Sequence, residues 1–284
     1  MIVITGGTGQ LGSRIADRLL ERVPAAEIGV SVRDPRRAAE LAARGVRVRR
    51  GDFADPESLA EAFEGATRVL VVSTDETGAE AVAHHVAAIE AARAAGAKRV
   101  LYTSHQAAAA DSRFAPMVDH AETEGRLEGA PFTALRNGFY AGTVPLLLGG
   151  ALETGELAAP ADGPVSWTAH ADLAEAAAII LAEEGRFDGP TPPLTAPVAL
   201  DLEQVAALLT ELTGRSVRRV VVSDDAWAAG LVGHGVPAER AELLLGMFRA
   251  ARHGEFAAAG PELESLLGRP ATPLRAVLAE AVGW

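Results

Sequence analysis

The residues best placed to do chemistry stand at the start of the chain. Thr5-Gly6-Gly7-Thr8-Gly9-Gln10-Leu11-Gly12 sets glycines at a TGxxGxxG spacing directly behind a short apolar run, Met1 to Thr5. Gly6 permits a tight turn, Gly9 lets backbone amides approach a pyrophosphate, and Gly12 lets the following helix pack closely. The helix beginning near Gln10 turns its free N–H groups and partial positive charge toward the same point. With Thr8, Gln10 and Leu11 supplying amides, the pattern calls for an anionic dinucleotide.

The second strand chooses between dinucleotides. It ends Val32-Arg33-Asp34-Pro35, with Arg36 and Arg37 beyond. The planar fork of Arg33 suits a 2′-phosphate, which favours NADP. Asp34 offers the competing reading, an acid for the ribose hydroxyls of NAD. Asp52 and Phe53 follow the third strand, where an adenine edge and face would lie. Ser73 and Thr74 end the fourth, close to the dinucleotide path, and Thr103 ends the fifth.

Reductases built this way commonly use a Tyr-x-x-x-Lys pair. Here Lys98 is the only lysine, and it precedes Tyr102 in the wrong order. His120 sits where that tyrosine would be and Glu124 where the lysine would be. A histidine can exchange a proton near neutral pH, or simply sit on a solvated helix face. After the sixth strand comes Arg136-Asn137-Gly138-Phe139-Tyr140. The Asn137 amide suits a nicotinamide carboxamide, Gly138 allows close backbone approach, and Phe139 and Tyr140 suit a flat ring. His120 and Tyr140 are the candidate catalytic residues. No spacing resembles a metal site.

These residues need a scaffold. Strands are predicted at Met1 to Thr5, Glu27 to Arg33, Val46 to Arg50, Arg68 to Ser73, Lys98 to Ser104 and Phe132 to Arg136. Helical spacing runs from Gln10 to Val23, Pro35 to Arg44 and Pro56 to Glu64, with a long Ala-rich helix after the fourth strand that carries His84 and His85 on a surface face. Strict alternation predicts an α/β fold, a doubly wound parallel sheet with ligands at the carboxyl ends of its strands. Beyond residue 150 the pattern turns mainly helical: Ala171 to Glu184, Leu202 to Thr213, Asp224 to Leu231 and Ala238 to Arg252, with a short strand at Val217 to Val222. Gly185 to Pro197 reads as a connector. The expected division is a dinucleotide-binding domain over 1–150 and a smaller substrate or cap domain over 151–284, with segments interleaved.

Composition narrows the classes of function. With Asp+Glu 38 against Lys+Arg 26, the formal net charge of −12 opposes nucleic-acid binding. The absence of cysteine excludes disulfides, thiolate nucleophiles and Cys-ligated zinc. No apolar run approaches the ~20 residues of a membrane span, and no leader pattern precedes the first strand, so the cytoplasm is the expected location. Base rates allow a homodimer.

The motifs ITGGTGQLG, VRDP, YTS, HxETE and LRNGFY together resemble the NmrA-like atypical short-chain dehydrogenases/reductases. The pattern is most similar to the type 2 NAD(P)H:quinone oxidoreductases, and triphenylmethane reductases share much of it. The resemblance extends from the first strand to LLGRPATPL (Leu266 to Leu274). It implies hydride transfer from NADPH to a quinone or similar flat aromatic acceptor, a small molecule. It also implies pyrophosphate binding by Gly6 to Leu11, a 2′-phosphate at Arg33, and a nicotinamide and substrate pocket around Thr103 and Asn137 to Tyr140. His120 belongs to the pattern. Two other readings stand beside it: a tailoring reductase for an aromatic metabolite, and a redox sensor that binds dinucleotide and signals through a protein partner.

Overall fold

The computed structural model describes residues 1–283. Among the described residues nine strands run in chain order: β1 Ile2–Thr5, β2 Ile28–Val32, β3 Arg47–Arg50, β4 Arg68–Val71, β5 Arg99–His105, β6 Phe132–Asn137, β7 Glu156–Pro160, β8 Gly189–Pro190 and β9 Arg218–Val222. The helices are α1 Gln10–Leu20, α2 Ala39–Ala43, α3 Pro56–Phe63, α4 Ala79–Ala94, α5 Ala115–Leu127, α6 Val144–Leu147 and α7 Ala151–Thr154. They continue as α8 His170–Ala182, α9 Leu202–Thr213, α10 Asp224–Gly233, α11 Ala238–Arg252, α12 Glu262–Leu267 and α13 Leu274–Ala281.

Seven strands form one parallel sheet in the order β3-β2-β1-β4-β5-β6-β8. The order reverses between β1 and β4, and a crevice opens at such a switch point outside the carboxyl ends of the strands. Period-two alternation divides each strand between two cores. Ile2, Ile4, Val30, Leu70, Leu101 and Leu135 pack against Ile15 and Leu19 of α1 and Leu173 and Ile180 of α8. Val3, Val69, Val71, Val100 and Tyr102 point the other way, onto Leu59 and Phe63 of α3, Ile89 of α4 and Leu127 of α5. Both faces are covered, which explains why β1, β2 and β4 read as continuous apolar runs. The edge strand β3 carries Arg47, Arg49 and Arg50 instead, charges that discourage pairing with another chain.

The later half returns to this sheet. Helix α8 lies against α1, and Leu263, Leu266 and Ala271 join the same core. Asp172, fully buried on α8, fixes that return: it accepts from the Arg269 guanidinium at 2.8 Å and the Thr272 amide at 2.6 Å. A third core belongs to the remaining C-terminal elements, with Val205 and Leu209 of α9, Phe248 of α11 and Leu278 of α13 around Val144, Leu157 and Trp167. Beside it β7 and β9 form a parallel two-stranded sheet.

Two strands differ from the sequence expectation. The connector from Gly185 to Pro197 contains β8, which pairs with β6 through only Gly189 and Pro190. Two residues give no periodicity, and the Gly-Pro pair signals a turn. Strand β7, ELAAP, lacks the β-branched and aromatic residues that mark a strand. The stretch from Pro35 to Arg44 is also broken, a 3-10 turn at Pro35–Ala38 leading into α2.

Candidate functional site

The glycine loop has the geometry an anion site requires. Gly6 adopts φ +62°, the left-handed region open to glycine. A Cβ on Gly12 would lie 2.3 Å from the Gly6 carbonyl oxygen, so loop and helix cross in backbone contact. One on Gly7 would lie 2.7 Å from Val30 Cβ, a third close approach that the spacing alone did not single out. At the N-cap, Gly9 makes no side-chain cap, and the first turn of α1 holds no acid. Its amides are therefore left for an anion. Gln10 and Gly9 are exposed and Thr8 half-buried, whereas the Leu11 side chain is core, so Leu11 can contribute only its backbone.

The charges behind β2 divide their work. Asp34 caps the turn after it, accepting from the Arg36 amide at 3.1 Å, and chelates the Arg36 guanidinium at 2.9 and 3.0 Å. Those contacts hold its carboxyl below the usual carboxylate range. Arg33 is exposed and engages no carboxylate among the described residues. Beside the loop, a cavity of about 190 Å³ is lined in part by Gly7, Thr8, Ser13 and Arg37. Asp52 folds back on its own turn to accept from the Ala54 amide at 3.1 Å, while Asp55 caps α3 and pairs with Arg50. Phe53 packs half-buried against the core under β4.

The ends of β4, β5 and β6 are tied together. The Ser73 amide donates to Thr103 Oγ1 at 2.8 Å, and the Thr74 amide donates to His85 Nε2 at 3.0 Å. Thr74 Oγ1 and Asn137 Oδ1 are buried without any hydrogen-bond partner. Buried polar atoms are rarely left so, and both point to a polar ligand at this edge. Glu124, placed at the lysine position of the usual pair, is committed elsewhere: it accepts from Arg136 at 2.7 and 3.1 Å and from Ser104 at 2.5 Å.

An aromatic wall follows. Phe139 meets His105, Trp167 and Phe256 edge-on at centroid distances of 5.4, 5.4 and 4.9 Å, and stacks on Phe114 at 6.3 Å. Tyr140 turns away from this group and lies over His170 at 4.3 Å, with burial raising its phenol pKa. The space left by Gly138 is filled by Thr168, whose Oγ1 would stand 2.1 Å from a Cβ there, so the close approach at Gly138 is made by protein.

The histidines depart most from the expectation. His84 is half-buried and pairs with Glu76 at 2.7 Å, but its neighbour His85 lies in the core. Its spacing with Val82, Ile89 and Ala92 on one face of α4 was the available signal. His120 is not a solvated helix-face residue. Its Nδ1 lies 2.7 Å from the Tyr102 hydroxyl, and its ring stacks with His105 at 6.2 Å. Burial lowers its pKa to about 3, and that of His85 to about 4. At neutral pH both are uncharged rings, so His120 is not an imidazolium acid in this state.

Fold and loop define a dinucleotide-binding oxidoreductase of the doubly wound class. The chain belongs to the NmrA-like family, whose family model matches residues 1–277. It is 37% identical over 280 residues to quinone oxidoreductase 2 of Escherichia coli (strain K12), covering 96% of both chains. Among solved structures it is similar to the NADPH-dependent quinone oxidoreductase of Escherichia coli complexed with NADPH. That match has a TM-score of 0.93 at 35% identity, over 99% of this chain and 100% of the other. It is likewise similar to the triphenylmethane reductase of Citrobacter sp. complexed with NADP(H), with a TM-score of 0.91, 33% identity and the same coverage.

Proposed function

We propose that this chain is an NADPH-dependent reductase that transfers hydride to a quinone or a similarly flat aromatic small molecule. The observation that carries the reading is a juxtaposition at one sheet edge. The uncapped N-terminus of α1 leads past the unsatisfied Thr74 and Asn137 oxygens to the wall built on Phe139 and His105. The residues present fit the cofactor: among the described residues there is an anion site with no acid in the first turn of α1, a guanidinium unclaimed by any carboxylate, and a buried amide oxygen lacking a donor.

In this reading the loop of Gly6, Thr8, Gly9, Gln10, Leu11 and Gly12 holds the pyrophosphate, with the Gly9 amide closing the turn onto the Gly6 carbonyl at 2.8 Å and the amides at the start of α1 facing the anion, and Arg33 takes the 2′-phosphate. Asp52 and Phe53 border the adenine. Ser73, Thr74 and Thr103 line the path to the nicotinamide, and Asn137 Oδ1 accepts from its carboxamide, with Gly138 and Phe139 beside it. When bound, the dihydronicotinamide supplies hydride. The protein orients the acceptor against it, the aromatic wall excludes water, and His120 faces the acceptor, while Tyr140, turned toward His170, borders the site from outside the wall. The names of the two solved relatives, a quinone and a dye reductase, support a flat aromatic acceptor.

A steady-state assay tests this. NADPH consumption is expected to rise well above the non-enzymatic rate on adding a benzoquinone or naphthoquinone, and to exceed NADH consumption under the same conditions. Dinucleotide binding without turnover across quinones and triphenylmethane dyes would instead favour the sensor reading.

A further inference from the structure

Hydrogen-bond direction around His120 can be read from one end of its network to the other. The Thr74 backbone N–H donates to His85 Nε2 at 3.0 Å. An amide N–H only donates, so Nε2 accepts, and neutral His85 carries its proton on Nδ1. That Nδ1–H faces Thr123 Oγ1 at 3.2 Å and the Tyr102 hydroxyl at 3.3 Å. Thr123 gives its own hydrogen to the Asp119 carbonyl at 2.8 Å and therefore accepts from His85. The Tyr102 hydroxyl, with burial keeping it protonated, has its hydrogen left for His120 Nδ1 at 2.7 Å. His120 Nδ1 consequently accepts, and the proton of its ring lies on Nε2.

His105 reaches the same tautomer by another route. The Ala107 amide donates to its Nδ1 at 3.2 Å, which leaves its proton on Nε2 as well. The two rings stack with 21° between their planes, and His105 abuts Phe139 and Phe256 of the aromatic wall. Neither Nε2 has a hydrogen-bond partner among the described residues.

We propose that His105 and His120 present neutral imidazole N–H groups to the acceptor oxygen that becomes negative on reduction, and that Tyr102 and His85 are positioning residues that lock His120 in the required tautomer. The inference rests on the reductase reading. Hydride addition gives the acceptor one hydrogen nucleus and two electrons, so a quinone becomes a hydroquinone monoanion. The imidazoles hydrogen-bond that oxygen without surrendering a proton. Water then supplies the remaining proton, which completes the hydroquinone. The chain of hydrogen bonds cannot act as a proton wire, because its inner end is the Thr74 amide, which neither gives up nor accepts a proton near neutral pH.

The other titratable groups nearby are engaged elsewhere. Asp119 accepts from the Gly78 amide through its carboxylate, Glu124 is held by Arg136 and Ser104, and His84 by Glu76. Tyr140 lies over His170 with 31° between the ring planes.

The test combines histidine ¹⁵N NMR with kinetics on the full chain, with and without NADP⁺. Between about pH 5 and 8, His105 and His120 are expected as neutral Nε2–H rings and His85 as a neutral Nδ1–H ring, none titrating. Tyr102→Phe is expected to mix the His120 tautomers and to lower kcat for a benzoquinone about tenfold with NADPH affinity unchanged, and His120→Ala to lower it about 100-fold. His120→Gln, which restores an N–H donor, should recover part of that loss. A His120 signal that titrates in this range or reports Nδ1–H overturns the proposal, as does equal kcat for His120→Gln and His120→Ala. The wild-type tautomers and the Gln/Ala comparison decide the matter even if Tyr102→Phe folds poorly. Failure of the reductase reading is seen separately, as wild-type protein that oxidises no NADPH with any quinone.

Discussion

Gly12→Ala is expected to lose both stability and NADPH binding. Its new Cβ would stand 2.3 Å from the Gly6 carbonyl oxygen and 2.8 Å from the Gly6 carbonyl carbon, both backbone atoms of a tight turn. Neither can rotate aside, so α1 must move away from the loop. That disturbs Ile15 and Leu19 in the core and re-aims the amides at the helix N-terminus. Overpacking of this kind costs about 1–3 kcal/mol of stability, and the NADPH dissociation constant should rise about 100-fold, since charge-assisted contacts to phosphate weaken together. Gly9→Ala separates the two effects. Its Cβ would lie 3.2 Å from the Gly6 oxygen, and φ −82° is open to any residue. Near-normal melting with weakened binding is expected there. Wild-type NADPH affinity in Gly12→Ala would show that the loop does not hold the pyrophosphate.

Arg33→Ala should change which dinucleotide the enzyme prefers. Asp34 is engaged by Arg36 and by its own turn, so it is poorly placed to receive ribose hydroxyls, while Arg33 is exposed and unclaimed by a carboxylate. Loss of a charge-assisted contact to the 2′-phosphate should raise KM for NADPH by about 10- to 100-fold. NADH, which lacks that phosphate, should be unaffected, so the NADPH/NADH ratio of kcat/KM falls by the same factor. Parallel weakening of both dinucleotides would assign Arg33 a structural role instead.

Why these two positions were legible in the sequence, and others were not, follows from the range of the interactions involved. The glycine loop and the Arg33–Asp34 corner are set by neighbours within a few residues, so type and spacing carry them. Strands β1, β2 and β4 to β6 were readable for a related reason: buried on both faces, each contains a short apolar run between helical stretches, whereas the edge strand β3 was marked only by its place between two helical stretches. Strand β8 was not readable, because Gly189 and Pro190 join the sheet only through their partners on β6. The same holds at the candidate site. His120 and Asn137 stood out by their place after β5 and β6, but their surroundings depend on distant chain. His120 faces Tyr102 and His105 from β5, and the aromatic wall draws Phe114, Trp167 and Phe256 from segments far apart. Burial of that kind turns a histidine expected to titrate near neutrality into a neutral ring.

Single-turnover transfer tests hydride delivery most directly. Enzyme with NADPH deuterated at C4 on one face, and then on the other, would be mixed rapidly with a benzoquinone in excess. A site that fixes the nicotinamide through Asn137 presents one face to the acceptor. Quinone-dependent oxidation is therefore expected to slow for one deuterated form and to match the unlabelled rate for the other. Oxidation no faster than without enzyme, or a rate indifferent to deuterium on either face, would contradict hydride transfer at this site.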